Sequence, residues 1–383
     1  MRILFLDQFS ERGGAQIGLG EILDETARRG WDAMVMIPGD GPLHLDCAER
    51  GIPSRALPLS AYANGHKTAW DMVRYAADSV RSAAAVRETI QGFDPQLIYV
   101  NGPRALPAAL LAARGRPMLF HAHSSLDRGY ARAVAHWCVK RGRMRVIAIS
   151  EFAGRMFPGA AIIYNGVRDH GFRARPWPGG PRTIGILGRI SPEKGHLDFV
   201  ETARRLSRVY PDVRFAVFGA ALFAAAAYER RVRTRAAGLP VDFHGWTDKV
   251  PEALHAIDVL AVPSGPAEGA TRVIMEAFSA GTPVVAYPSG GIPELVRHGE
   301  TGLLTAGRTA ESLTAALQTV LNDRALMERL SFEGRREWEQ RFRLERCQRE
   351  LGDLIEEAGA TTSGHRSQSA EQASGHGEGL GSR

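Results

Sequence analysis

Short apolar runs rich in β-branched residues alternate along the chain with longer amphipathic stretches. Ten of the apolar runs have the length and composition of buried strands: 2–6, 33–37, 97–100, 118–120, 145–149, 183–187, 213–218, 241–243, 258–262 and 283–286. Between them, apolar residues recur at helical spacing over 15–29, 70–91, 195–209, 226–237, 251–256 and 271–280. Such alternation predicts βαβ units and parallel sheets with helices on both faces. Because ten strands are many for one twisted sheet, we predict two α/β domains.

Glycine and proline mark the boundary between the two predicted domains. Seven of these residues crowd into 166–182, a density that is typical of a linker. Farther on, 311–355 has the apolar spacing of two or three helices, and the residues after it lack periodicity and nearly all large apolar side chains. The predicted division is a first domain over 1–166, a linker over 167–182, a second domain over 183–335, a C-terminal helix over 336–357 and a disordered tail over 358–383.

The composition excludes several classes of protein. Of the 383 residues, 44% are apolar and 23% are charged, which suffices for a core without disulfides or metal. The three cysteines are far apart and form no CxxC or Cys/His cluster, which argues against a zinc site and a secreted disulfide scaffold and favours a reducing cytoplasm. The longest apolar run has about 11 residues, whereas a membrane-spanning helix needs about 20, so no spanning segment is predicted.

Positive charge is concentrated in the first half of the chain. The whole chain carries +6, and residues 1–166 contribute +5, from 20 basic and 15 acidic side chains. The densest run of cations is Lys140, Arg141, Arg143 and Arg145. It has two interpretations, a solvated helix end or a patch that faces an anion or a membrane surface. Nucleic acid is not a predicted partner, because neither aromatic interleaving nor a helix-turn-helix pattern accompanies the run.

Two loops carry residues suited to an anionic ligand. Gly13 and Gly14 lie between the first strand and a helix, where the backbone can approach an anion, although a plain turn is the alternative. In the second half, Arg189 and Lys194 lie in the loop 188–195, just beyond a strand. Only four of the 48 basic residues are lysines. A lysine in this loop therefore favours a compact point charge for a diphosphate, with two solvated cations as the alternative.

Two carboxylates follow in the segment 263–304. Glu268 lies at the end of a loop, and Glu276 lies eight residues later inside a short helix that begins near Thr271. Carboxylates accept hydrogen bonds from paired hydroxyls such as those of a ribose or a sugar. The amides of the first helical turn can hold a phosphate; they belong to Arg272, Val273 and Ile274. Taken alone, the pair could equally be two unrelated surface glutamates.

Together these motifs resemble the retaining glycosyltransferases of family 4, over the chain up to about residue 355. The motifs are, in chain order, Gly13-Gly14, Tyr164-Asn165-Gly166-Val167, G-R-x4-K-G at 188–195, Phe243-His244-Gly245, E-x7-E at 268–276 followed by G-x-P-V-V, and Gly290-Gly291-Ile292-Pro293-Glu294. The resemblance implies two Rossmann-like domains that face each other across a cleft, the GT-B arrangement. It also implies an acceptor-side first domain, a second domain that binds a nucleotide-sugar, and C-terminal helices that join the two.

The resemblance implies roles for four side chains of the second domain. Arg189 and Lys194 resemble the cations that hold the donor diphosphate and offset the charge of the leaving group. Glu276 resembles the carboxylate that binds the ribose hydroxyls, and Glu268 resembles the one near the hydroxyls and the reacting carbon of the transferred sugar. The chain departs from the commonest form at Arg272, where an aliphatic residue is usual, and this leaves the identity of the sugar open.

In the first domain, Gly14 would approach the diphosphate from the opposite side of the cleft. The segment Leu119-Phe120-His121 resembles the strand end whose histidine faces the sugar. We therefore predict His121 in that position, with His123 as a nearby rival and a plain structural role as the alternative for either.

The implied reaction moves a sugar from a nucleoside-diphosphate sugar to a hydroxyl of a sugar or lipid-linked acceptor, with retention at the anomeric carbon. No metal and no cofactor are required in this scheme, because cations and a helix N-terminus supply the positive field. We expect the chain in the cytoplasm, with peripheral contact to the inner face of the cell membrane as a weaker hypothesis. Two other functions stay open: a nucleotide-sugar 2-epimerase on the same scaffold, and a non-catalytic GT-B-like protein that binds glycans.

Overall fold

In the computed structural model, which describes residues 1–60, 68–126, 129–174, 182–221, 225–266 and 268–360, the strands form two parallel sheets. The first sheet contains β1 (Arg2–Asp7), β2 (Asp32–Ile37), β3 (Ser54–Ala56), β4 (Leu97–Asn101), β5 (Met118–Ala122), β6 (Arg145–Ala148) and β7 (Ala161–Ile162). The second contains β8 (Thr183–Leu187), β9 (Arg214–Phe218), β10 (Val241–Gly245), β11 (Val259–Val262), β12 (Val284–Ala286) and β13 (Leu303–Leu304). The predicted α/β class with two domains is confirmed.

Helices connect the strands in both domains. Those of the first domain are α1 (Gly14–Arg28), α2 (Pro42–Glu49), α3 (Ala69–Phe93), α4 (Leu106–Ala112), α5 (Gly129–Gly142) and α6 (Glu151–Gly154). Those that follow are α7 (His196–Leu206), α8 (Ala226–Ala236), α9 (Val250–His255), α10 (Arg272–Ala280), α11 (Ile292–Leu295), α12 (Ala310–Asn322), α13 (Arg324–Glu337) and α14 (Leu344–Ala360). Within the described ranges, no helix combines the length and the apolar composition needed to cross a bilayer.

The strand order creates one crevice in each sheet, at the position where α/β proteins commonly bind ligands. The first sheet has the order β3-β2-β1-β4-β5-β6-β7 and the second β10-β9-β8-β11-β12-β13. Connections therefore reverse direction between β1 and β4, and again between β8 and β11. At such a switch point the loops beyond the carboxyl ends of the strands diverge and leave room for a ligand. The glycine pair follows β1, the loop with two cations follows β8, and Glu268 follows β11, so the predicted site residues lie at both switch points.

The C-terminal helices pass from the second domain to the first. Helix α13 packs on α10, a turn of π-helix spans Trp338–Phe342, and α14 packs on α1 and β5. Val167 lies where the chain first leaves the first domain, and it is bonded to the segment between α13 and α14. Its amide donates to the carbonyl of Phe342 at 2.9 Å, and its carbonyl accepts from the amide of Leu344 at 3.1 Å. The two crossings between the domains are thus bonded to each other, in the position expected for helices that join the domains.

Helix α14 extends beyond the predicted start of the tail at residue 358. It reaches Ala360, the last described residue, and Ala358 is buried in the apolar cluster of the first domain. The rest of the predicted tail, from residue 361, lies outside the described residues, as does the part of the predicted linker over 175–181. The predicted domain boundaries stay predictions.

Candidate active site

A cavity of about 630 Å³ lies between the two domains, at the carboxyl ends of both sheets. The loop after β1, the start of α1 and the segment after β5 form one wall, and the loops after β8 and β11 form the other. Seven of the nine predicted site residues line it: Gly14, Arg189, Lys194, Glu268, Arg272, Val273 and Glu276. The other two, His121 and Ile274, do not line this cavity.

Glycine allows the loop with the two cations to pack directly against the end of β11. Gly195 has a φ of 74°, and a Cβ there would lie 2.0 Å from the carbonyl oxygen of Pro263. Only a residue without a side chain fits this approach and this backbone conformation. The turn of 3₁₀ helix at Pro192–Lys194 is thereby held beside the segment that leads to Glu268.

Lys194 and Glu268 form an ion pair in the cavity. Lys194 Nζ donates to Glu268 Oε2 at 2.6 Å, and each side chain is only 18% exposed. Arg189 Nη2 lies 3.4 Å from Glu193 Oε1. Both cations are therefore held in place by carboxylates, and an anionic ligand would have to share or replace these partners.

The first turn of α10 contributes two of its three predicted residues to the cavity. Arg272 and Val273 line the wall. Ile274 does not: its side chain is fully buried, and its amide donates to the carbonyl of Thr271 at 3.0 Å. Its amide thus already has a partner within the first turn, and the predicted contact of Ile274 with a ligand stays a prediction.

Arg272 joins the two domains across the cavity. Its Nη1 and Nη2 donate to the two carboxylate oxygens of Glu21, on α1, at 3.0 and 2.7 Å. The exposed fractions of the two side chains are 11% and 13%. Sequence reasoning missed Glu21, because a single glutamate on an amphipathic helix carries no local signal of a partner 251 residues away.

Glu276 lies behind Arg272, with 3.9 Å between its Oε1 and Arg272 Nε. Burial raises the pKa of Glu276, an effect to which Glu21 adds and which Arg272 and Lys194 oppose. Hydrogen bonds from ligand hydroxyls would favour the ionised form and lower this pKa. Glu276 lines the cavity, so its carboxylate is accessible to hydroxyl donors of a ligand there.

The structure distinguishes the two candidate histidines of the first domain. His121 lies inside β5 and is buried, with its Nδ1 2.5 Å from the hydroxyl of Tyr99. His123 is the first histidine beyond the end of the strand, and it lines the cavity. Burial lowers the pKa of His123 to about 4 and that of His121 well below its ordinary value, so both are neutral near pH 7. Of the two histidines His123 is thus the one placed at the cavity, and the role predicted for His121 stays a prediction.

The sequence motifs at 164–167 and 290–294 meet behind the cavity. The carboxylate of Glu294 accepts hydrogen bonds from the amides of Glu151 and Phe152, each at 2.7 Å, and from the hydroxyl of Tyr164 at 3.0 Å. Beside them, the hydroxyl of Ser150 donates to the carbonyl of Gly269 at 2.7 Å. These bonds all join one domain to the other, so they fix the relative orientation of the walls of the cavity.

Family comparisons match both halves of the chain. Residues 13–157 match the family described as "Glycosyl transferase 4-like domain". Residues 181–323 match the family described as "Glycosyl transferases group 1". The first match contains β2 to β6 of the first sheet, the second contains all six strands of the second sheet, and each includes residues that line the cavity.

Curated relatives match in part or along most of the chain. The GDP-mannose-dependent alpha-(1-6)-phosphatidylinositol monomannoside mannosyltransferase of Mycobacterium tuberculosis is 34% identical over 216 residues, which cover 49% of this chain and 54% of that protein. The phosphatidyl-myo-inositol mannosyltransferase of Mycobacterium leprae is 25% identical over 344 residues, which cover 84% of this chain and 87% of that protein. The chain spans between about a quarter and about half of the length of the first curated relatives that it matches.

Among solved structures, Anabaena Alr3699/HepE in complex with UDP-glucose has a TM-score of 0.79 and 25% sequence identity. The match covers 93% of this chain and 100% of that chain. The predicted arrangement of two Rossmann-like domains across a cleft is confirmed by this likeness.

Proposed function

Because the chain belongs to the group 1 glycosyltransferases, of the family 4 type, we propose that it transfers a sugar from a nucleoside-diphosphate sugar to an acceptor hydroxyl with retention of configuration. The product would be a polysaccharide or a glycolipid. One observation carries the proposal: two cations, a helix N-terminus and two carboxylates converge in a single cavity, opposite a glycine-lined wall of the other domain.

The donor fits this cavity with its diphosphate near Lys194 and Arg189. The first turn of α10 adds backbone donors on the same side, and Gly14 leaves room on the other because it has no side chain. Glu276 is then placed for the ribose hydroxyls and Glu268 for those of the sugar. The complexes of Alr3699/HepE with UDP and UDP-glucose support a ligand of this class.

The acceptor would enter from the first domain. His123 and Asn165 line that side of the cavity, and both can hydrogen-bond hydroxyl groups. The names of the two mycobacterial relatives describe transfer of mannose to phosphatidylinositol compounds. These names support an acceptor that is a sugar or is linked to a lipid.

In the proposed reaction, the acceptor hydroxyl attacks on the face from which the diphosphate leaves. A leaving-phosphate oxygen takes the proton of the hydroxyl, and Lys194 and Arg189 offset the negative charge that grows on the phosphate. The protein then needs no nucleophile of its own; it positions two substrates. Since these cations supply the field, we expect activity to persist in the presence of a chelator.

A panel of nucleotide-sugars offered with simple glycoside and glycolipid acceptors tests the proposal. Donor binding is detected first as thermal stabilisation, and the anomeric configuration of any product is read by proton NMR. We expect one donor to be used, with its configuration kept. Conversion of the intact nucleotide-sugar to its 2-epimer without an acceptor would instead identify an epimerase, and inversion at the anomeric carbon would contradict the proposed mechanism.

We also propose contact with an anionic membrane through the first domain. At the end of α5, Lys140, Arg141 and Arg143 are exposed, and Trp137 is 57% exposed beside them. Next to these residues lies a groove of about 590 Å³, whose apolar wall includes Met144 and Phe157. Cations around an apolar groove with an exposed tryptophan suit a lipid surface, where each cation adds about 1 kcal/mol. The predicted location at the inner face of the membrane stays a prediction.

Neutralising Lys140, Arg141 and Arg143 to alanine is expected to abolish most sedimentation with vesicles of mixed neutral and anionic lipid. Wild-type binding should weaken as salt is added. The matched control neutralises three exposed cations on α8, Arg230, Arg231 and Arg235, and should bind as the wild type does. Equal loss in both triple variants would assign the effect to net charge and contradict a membrane-facing patch.

A further inference from the structure

Three polar side chains form a chain of hydrogen bonds from the interior of the first sheet to the cavity. Asp7 ends β1 and is fully buried, and its Oδ2 accepts from Asn101 Nδ2 at 2.6 Å. Asn101 ends β4 and is paired with Asp7 in the parallel register. Its Oδ1 lies 2.6 Å from Nε2 of His123. Neighbouring strand ends thus bring the three groups into line at the switch point between β1 and β4.

The carboxylate of Asp7 sets the direction of every bond in this chain. An ionised carboxylate only accepts hydrogen bonds. Burial raises the pKa of Asp7 to about 6, although hydrogen bonds from Asn101, Phe9 and Gln16 oppose this rise. The carboxyl group is therefore ionised above neutral pH. Asn101 must therefore turn its amide nitrogen to Asp7, where that nitrogen also lies 3.4 Å from the carbonyl of Ala15.

The orientation of the amide then determines the tautomer of the histidine. With its nitrogen on Asp7, Asn101 presents its oxygen to His123, and an oxygen can only accept. Nε2 of His123 must carry the proton, and Nδ1 must carry the lone pair. Because the pKa of His123 is lowered to about 4 by burial, the ring stays neutral and keeps this division.

We propose that Asp7 and Asn101 are positioning residues that hold His123 as the Nε2–H tautomer, so that Nδ1 accepts a hydrogen bond from a substrate hydroxyl in the cavity. The identity of that hydroxyl, on the sugar or on the acceptor, rests on the proposed function. The tautomer does not rest on it: it follows from the hydrogen bonds among Asp7, Asn101 and His123, with Asp7 ionised and the ring neutral. A fixed acceptor at Nδ1 of His123 favours a ligand group that donates a hydrogen bond. A hydroxyl group can donate one, whereas an ether oxygen cannot.

The substitution Asp7→Asn should reverse the donor and acceptor roles along this series of hydrogen bonds, while the side chain keeps its shape. The new amide keeps its oxygen for Phe9 and Gln16 and presents its nitrogen to Asn101. Asn101 must then rotate its oxygen to position 7 and its nitrogen to His123, which moves the proton of the ring to Nδ1. An uncharged group replaces a buried charge of the same size, so the variant is expected to fold.

The tautomer is measured by ¹⁵N NMR of the histidine rings, well above the pKa of Asp7, with the His123 signals identified by their loss in His123→Gln. We expect a protonated Nε2 in the wild type and a protonated Nδ1 in Asp7→Asn. The double variant Asp7→Asn, Asn101→Asp should restore the protonated Nε2, because a carboxylate again faces the ring. Gln16→Met is the control: it removes one hydrogen bond to the same carboxylate and should leave the tautomer unchanged.

Kinetics separate this inference from the proposed function. With a donor and acceptor that are turned over, Asp7→Asn should lower kcat by about 10- to 100-fold, as when the partner that orients a functional histidine is removed. The double variant should recover most of the loss. A protonated Nδ1 in the wild type, or an unchanged tautomer in Asp7→Asn, would overturn the inference whatever the enzyme transfers. The expected tautomers in a chain that turns over no sugar would count against the proposed function alone.

Discussion

Lys194→Ala is expected to lower kcat by a factor of about 10² to 10³, the range for the loss of one preorganised group that stabilises developing charge. Lys194 lies in an ion pair with Glu268 in the cavity, where we propose that the donor diphosphate binds, and the negative charge on a leaving phosphate grows as the glycosidic bond breaks. Its contribution is therefore larger in the transition state than in the bound donor. Steady-state kinetics with the donor that is turned over measure the effect.

Three further variants show whether this loss is specific. Lys194→Arg should not restore full activity, because a larger, planar guanidinium cannot place its charge where the compact ammonium lies beside Glu268. Lys249→Ala removes an exposed lysine of the same domain and should leave kcat unchanged. Glu276→Gln should mainly raise KM for the donor, since the charge on ribose hydroxyls hardly changes during the reaction. A near wild-type kcat in Lys194→Ala would remove Lys194 from the diphosphate site.

Glu21→Ala is expected to lower the free energy of unfolding by about 3 kcal/mol, because it leaves the guanidinium of Arg272 buried without its bidentate partner. The loss should appear in urea denaturation as a lower midpoint. The freed Arg272 would also turn to Glu276, only 3.9 Å away, and compete with the ribose, so KM for the donor should rise.

The double variant Glu21→Leu, Arg272→Met tests the reason for that loss. Replacing both charges by apolar side chains of similar size should recover most of the stability, because no uncompensated charge is left. Glu300→Ala breaks an exposed pair with Arg297 and should cost less than about 1 kcal/mol. If Glu21→Ala is no more costly than Glu300→Ala, the pair across the cavity does not hold the domains together.

The fold could be predicted to the extent that its strands are long and buried. All ten predicted strands are present, because each is marked by a run rich in apolar and β-branched residues that lies between helical stretches or turn residues. The strands that the sequence analysis missed, β3, β7 and β13, contain three, two and two residues and lie at sheet edges. These short segments do not stand out from the residues around them as apolar runs, and pairing with a neighbouring strand makes them strands.

The candidate site was predicted where chemistry and spacing coincide in one segment. Lys194, Glu268 and Glu276 belong to motifs of adjacent residues, and all three line the cavity. Contacts between segments far apart in the sequence were not predicted. Glu21 contacts Arg272 only because the two domains face each other. The sequence also did not show that His123, rather than His121, lines the cavity, since the exact residue at which β5 ends cannot be read from an apolar run.

The most direct test of a donor site built around Lys194 is calorimetric titration of the wild type and Lys194→Ala with a panel of nucleoside diphosphates and the matching nucleosides. We predict that at least one nucleoside diphosphate binds the wild type, and that the substitution weakens its binding by about tenfold or more, as expected for a lost charge-assisted hydrogen bond. Binding of the matching nucleoside should be the same in both proteins. Equal affinity of both proteins for every diphosphate, or binding of none, would contradict the account.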